Sequence, residues 1–253
     1  MNKPVRKYVA VVAALSAVVV LAVSGWAAAE KPIVIVQGNL ETIFNGGFSP
    51  KTISKTKPTP ISFNISGKIR TLDGEHPPAL KEFLLEGDKH ASIDVKGIPV
   101  CRAGKIQSTD TAHARKACGP ALIGTGKTEA GIKFEEQKEI FANSELLVFN
   151  AGVRGGVTTL LIHAYITVPT PAAIVTTVKI KKIHKGRYGL LSVASIPKIA
   201  GGAGSVLSFS LKLKKGILSA SCPDGHLNAR GTAVFSDGTR TKGAVIRPCT
   251  GKG

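Results

Sequence analysis

The run Gly124-Thr125-Gly126-Lys127-Thr128 has residue types that hold a phosphate: glycine amides for a tight turn, a lysine for the charge and a hydroxyl after it. A phosphate-binding loop also needs a glycine five positions before Gly126, where Ala121 stands, and it must join a strand to a helix. Here the preceding stretch, Ser108 to Cys118, reads as a short helix with Ser, Thr or Asp as N-cap, stopped by Gly119 and Pro120. The following stretch, Thr128 to Gln137, carries an interior glycine and no apolar helical stripe. Both flanks are reversed, and the run is expected to be a glycine-punctuated strand.

Ser195-Ile196-Pro197-Lys198 has the S-x-x-K spacing of an acylating serine, but Pro197 breaks the helix that motif opens and no K-T-G follows. His163 alternates with apolar residues beside Tyr165 and is expected as an exposed cross-strand neighbour on a polar face. His76 and His226 sit in turn sequences with no carboxylate or histidine at metal-ligand spacing. No catalytic residue, metal or cofactor is assigned. A hydrolase would need a site assembled from residues distant in the chain.

Charge offers the remaining candidate. The chain carries 34 basic and 16 acidic residues, a net charge of +18. Residues 30–150 are nearly balanced, with sixteen basic against fourteen acidic, whereas residues 151–253 hold fifteen basic residues and only Asp224 and Asp237 as acids. Three pairs there stand two apart and so share a strand face: Lys179 with Lys181, Lys212 with Lys214, and Arg240 with Lys242. Were their strands adjacent, they would form a cationic face for a polyanion, with an anionic cell-envelope polymer or lipid headgroups as partner. Aromatics make up 5% of the chain, too few for a base-stacking platform, which argues against nucleic acid. The competing reading gives the charge to solubility alone.

The elements that must carry these residues are mostly strands. Ile61, Phe63 and Ile65 alternate with polar residues, as do Leu160, Ile162, Ala164 and Ile166, and Phe209, Leu211 and Leu213. Asp237-Gly238 marks a hairpin, Gly201-Gly202-Ala203-Gly204 a loop, and Leu80 to Glu86 fits either helix or strand. The expected fold class is all-β, mainly an antiparallel β-sandwich, with one short disulfide-linked helix. The expected organisation is a secretory signal over residues 1–29, a leading strand and Pro/Lys-rich linker over 30–60, and a β-sandwich domain over 61–253, strongly basic from 151.

The signal rests on Lys3, Arg6 and Lys7 before the apolar run Val9 to Val23, with Ala27-Ala28-Ala29 supplying small residues for cleavage. An uncleaved anchor is the alternative; once cleaved, the chain keeps no stable membrane span. No cysteine lies near the cut to take a lipid anchor. In an exported, extracytoplasmic chain the four cysteines pair. Three connectivities exist; Cys101 with Cys118 and Cys222 with Cys249 is preferred because each closes a short local loop.

Gly97 to Cys101 (GIPVC), Ala117 to Gly126 (ACGPALIGTG), Phe149-Asn150, Cys222-Pro223 and Asp237 to Thr239 before Cys249 together resemble a pattern found in uncharacterised exported bacterial proteins. The resemblance spans about residues 60–249 and implies a bacterial exported protein with two disulfides and no assigned activity. The function expected is a secreted, non-enzymatic binding or surface-associated module; a structural exported protein without a ligand is the alternative.

Trp26 is the only tryptophan. Cleavage after Ala29 therefore leaves an exported protein with tyrosine-only fluorescence, and a mass spectrum of that protein retaining Trp26 would contradict the cleavage.

Overall fold

The computed structural model describes residues 30–253; the leader expected over residues 1–29 lies outside them. The strands are β1 (Ile33–Gln37), β2 (Leu40–Ser49), β3 (Thr52–Ser54), β4 (Thr59–Thr71), β5 (Leu80–Asp88), β6 (Ala91–Ile93), β7 (Leu122–Ile132) and β8 (Ile140–Arg154). They continue with β9 (Val157–Ile166), β10 (Ala172–Lys185), β11 (Tyr188–Ser195), β12 (Gly204–Ala220), β13 (His226–Phe235), β14 (Arg240–Pro248) and β15 (Thr250–Lys252); the one α-helix described, α1, is Thr111–Cys118.

The order β1-β2-β4-β12-β7-β8-β9-β10-β11-β5-β13-β14 is one antiparallel sheet, with β6 added beside β12 and a separate parallel pair β3–β15. It curls until it is nearly closed, barrel-like, with the edge strands β1 and β14 side by side. The all-β, antiparallel expectation is met, and the two layers of a sandwich are here opposite walls of one continuous sheet. Residues 30–60, expected as a strand and linker, instead supply β1, β2 and β3. The reason is the alternation of Leu40, Thr42, Phe44 and Phe48, all buried. The ambiguous Leu80 stretch is strand β5.

Period-two patterning sets which face turns inward. On β10, Val178 and Ile180 are buried while Lys179 and Lys181 are exposed; on β12, Leu213 is buried between exposed Lys212 and Lys214. The exterior is thus charged and the interior apolar, the reverse of a lipid-embedded barrel. Leu146-Leu147-Val148-Phe149 on β8 is apolar without alternation because both of its faces are covered. Its outward residues Leu147 and Phe149, with Leu161 of β9, pack under α1 against Ile106 and Ala114.

The helix starts at Thr111, three residues later than Ser108, because the Asp110 side chain accepts the His113 amide at 2.8 Å and caps it there. Gly119 stays right-handed at φ −50° and leads into a 3-10 turn, Gly119–Ala121, before β7. Cys101–Cys118, with Cα atoms 5.5 Å apart, holds the helical segment on the wall, and Cys222–Cys249, at 6.2 Å, joins the chain after β12 to the end of β14. The connectivity is the local one expected.

Two opposite walls touch through aromatic rings. Phe83 of β5 lies 5.8 Å from Phe44 of β2 and 5.7 Å, edge-on, from Phe209 of β12, the strand six places away in the order. Glycines make room: a Cβ on Gly67 would sit 2.5 Å from Phe209, and one on Gly231 3.3 Å from Phe83. The Gly124-x-Gly126 run serves the same end, since Cβ atoms there would strike the backbone carbonyls of Lys212 and Ser210 on β12.

The seam between β1 and β14 carries no ladder. Ile33 and Ile35 of β1 lie over Gly243 of β14, and Arg247 of β14 reaches across to the other edge. Its Nε donates to the Gly46 carbonyl at 2.6 Å and its Nη2 to Asn45 Oδ1 at 2.7 Å and to the Lys31 carbonyl at 3.3 Å, with Glu30 Oε2 3.1 Å from Nε. Arg247 is 9% exposed, so its loss leaves the buried Gly46 carbonyl without its donor, while Glu30 keeps Lys51 as partner at 2.5 Å. Arg247→Met is expected to lower unfolding stability by about 2–3 kcal/mol, read as a fall in urea midpoint. An unchanged midpoint would show that side-chain packing alone holds the seam.

Candidate functional site

Twelve strands enclose more space than their side chains fill, since about eight suffice for a filled interior. Between the plugged ends lies a cavity of about 290 Å³. One end is closed by β3, β6 and β15 and by Val95, which packs into the core; the other by Phe235, Leu80 and Ile199. Mid-barrel side chains that point inward, among them Phe63, Leu85, Ile162, Ile174 and Leu211, are only half-buried because they face this space.

The wall is mostly aliphatic and aromatic; Asp88, Asn228 and Arg247 also line it, with Asp88 Oδ2 accepting from the Asn228 amide and Nδ2. Thr176 of β10 and Ser192 of β11 bring hydroxyls to it, while the Thr128 hydroxyl is turned to the Ser208 carbonyl at 2.9 Å. Left unfilled, a cavity of this size costs about 7 kcal/mol at the 24 cal/mol per Å³ measured for cavities left in cores. That rivals the whole net stability of an ordinary domain, roughly 5–15 kcal/mol. Its volume is about twice the roughly 150 Å³ of an engineered apolar cavity that takes up benzene. An arrangement of this kind binds apolar molecules by excluding them from water, with hydroxyls available to orient one polar group.

Behind this wall, on its outer side, Arg230 of β13 grips Glu86 of β5 with two hydrogen bonds, Nε to Oε2 and Nη2 to Oε1 at 2.5 Å. The guanidinium also lies 4.4 Å over the Tyr188 ring. Arg230 holds the Glu86 carboxyl below its ordinary value of 4.5, against a smaller opposing effect of burial.

The six basic residues proposed as one face are all exposed, but they do not meet. β12, β10 and β14 are separated from one another by three intervening strands, counting the last interval across the seam. Lys179/Lys181, Lys212/Lys214 and Arg240/Lys242 therefore point in three directions around the barrel. Their adjacency was a condition that chain order could not test, because the order of strands in the sheet follows long crossovers.

Lys127 lies on β7 with no loop or following helix to bring a phosphate to it, and Ser195 ends β11 beside Pro197. His163 does project from the outer face, but that face is covered by the segment tied down by Cys101–Cys118. It is 0% exposed, and its Nε2 donates to the Thr109 carbonyl at 2.8 Å, which makes it a structural anchor. His76 Nδ1 lies 2.7 Å from Glu139 Oε1, a pair invisible at a separation of 63 residues. Among the described residues no group of three or more His, Cys, Asp or Glu side chains is arranged to hold a metal ion. The cavity itself was missed in the sequence; its only signal there was the number of alternating strands.

Because the folded pKa of Glu86 is depressed, its ion pair adds stability above about pH 4.5 and loses it as pH falls through the folded value. The stability gap between the native chain and Glu86→Gln should be open at pH 7 and should narrow below pH 4.5, measured by urea unfolding. A gap independent of pH would rule out the ion pair as its source. No protein-family model matches this chain, and no curated protein or solved structure does either, so the site stands on its own geometry.

Proposed function

We propose that this protein is an exported, non-enzymatic binding protein that encloses an apolar small molecule inside its barrel. The observation that carries the reading is the 290 Å³ cavity, walled by inward aliphatic and aromatic residues from both sides of the sheet. The ligand class is a mostly hydrocarbon molecule with at most a hydroxyl or carbonyl to meet Ser192 or Thr176. A secretory leader and two disulfides are compatible with a site of action outside the cytoplasm. Binding through one six-residue cationic face loses its support, because those residues are dispersed around the exterior.

The test uses N-phenyl-1-naphthylamine, a neutral apolar dye that fluoresces when removed from water. The native chain should take it up at one site, and at a free concentration of 100 Kd binding should raise stability by about 2.7 kcal/mol. Ser192→Phe and, separately, Ala164→Phe fill the cavity from different strands. Each should abolish dye uptake while raising Tm by roughly 2–4 °C for every kcal/mol of cavity cost recovered. Equal uptake by the native chain and both folded variants would place the dye elsewhere and end the reading.

A further inference from the structure

We propose that the β8–β9 and β10–β11 hairpin end of the barrel docks on an anionic lipid surface. This inference does not rest on the cavity holding a ligand; it rests on a basic and apolar surface gathered from three segments.

β9 pairs with β10, Thr158 opposite Ile180, so the tips of the β8–β9 and β10–β11 hairpins project together from one end. The β10–β11 tip exposes Lys182, Lys185 and Arg187, and the β8–β9 tip exposes Arg154. A third segment is fastened beside them. Asn150 of β8 donates its Nδ2 to the Ile98 and Pro99 carbonyls at 2.9 and 3.1 Å, and its carbonyl accepts the Cys101 amide at 2.8 Å. That places Val100 against Gly152, where a Cβ would be 3.4 Å from Val100 Cγ2.

Val100 is 55% exposed and Val153 is 60% exposed, and Pro99, next to half-buried Ile98, is exposed as well. Residues 94–105, 150–157 and 179–191, which form the hairpin side of this end, contain nine basic residues and one acid, Asp94; Glu86 of β5 approaches one of them, Lys185, at 3.9 Å. Aliphatic side chains exposed beside basic hairpin tips match the two components of a membrane interface: anionic headgroups attract the lysines and arginines, and the acyl boundary receives the valines. A soluble polyanion uses the charge but gives Val100 and Val153 nothing to enter. The same end carries the segment that plugs the barrel, with Val95 in the core and Ile98 packed against it.

The experiment is co-sedimentation of the native chain with phosphatidylcholine vesicles, with and without 30% phosphatidylglycerol. Binding is expected only with the anionic lipid and is expected to weaken with salt. Lys182→Gln/Arg187→Gln should bind about thirty-fold more weakly, at about five-fold for each charge near the surface. Lys133→Gln/Lys198→Gln, at the other end of the barrel, should bind as the native chain does. Val153→Ser, an exposed position that leaves the fold intact, should weaken vesicle binding several-fold and leave binding to soluble linear polyphosphate unchanged. Equal losses from both charge pairs would reduce the attraction to net charge. Tight polyphosphate binding with no effect of Val153→Ser on vesicles would make the partner a polymer, and no binding to anionic vesicles would end the proposal.

Discussion

Closure of a single sheet on itself is the constraint from which the rest of this structure follows. Between β1 and β14 there is no backbone ladder, and the gap is bridged by Ile33 and Ile35 over Gly243 and by Arg247 reaching Gly46, Asn45, Lys31 and Glu30. An arginine suits this task because its planar fork supplies donors in several directions at once, and carbonyls on the facing edge need donors. With the edges together, every strand has a covered inner face and neither edge lies open to another chain. Were they apart, the inward rows of Phe, Ile and Leu would face water.

A ring of twelve strands creates the opposite difficulty, an interior too wide to pack. The sheet meets it in two ways. Glycines at 67, 124, 126 and 231 let opposite and adjacent strands approach, and the rings of Phe44, Phe83 and Phe209 span from wall to wall. Segments from outside the ring then fill its ends, one of them through Val95. The space that remains is central, apolar and bounded by residues from most of the strands, which is why no short motif encodes it. Glycines that resemble a phosphate loop turn out to be the places where two strand backbones come too close for a Cβ.

Inside and outside divide the chemistry. The interior offers mostly hydrocarbon, with a few hydroxyls and the paired groups of Asp88, Asn228 and Arg247; the exterior offers charge, unevenly arranged. Acidic residues of the first half partner basic residues of the second where strands from both meet, as Glu86 does with Arg230 and Glu30 with Arg247. The cationic excess is thereby reduced along those strands and persists at the hairpin tips, where Lys185 reaches only the already paired Glu86, at 3.9 Å. The segment that plugs the apolar cavity shares its end of the barrel with exposed Val100 and Val153 and the basic hairpin tips.

Local sequence determined whatever depends on neighbours in the chain. The alternation of Val178 to Lys181 and Leu211 to Lys214 defined strands and their inner faces, Asp110 and Pro120 bounded a short helix, and cysteine spacing selected two local disulfides, because each is a matter of period, capping or short loop closure. Tertiary structure decided what depends on partners far along the chain. His163 belongs to an outward face in any register, yet it is buried because the segment tied by Cys101–Cys118 lies over it. Lys179, Lys212 and Arg240 have the same local pattern but are spread around the ring by the order of strands in the sheet. The cavity is the extreme case: most strands contribute a few ordinary inward residues, and only their number and closure, set by long-range pairing, leave a volume at the centre.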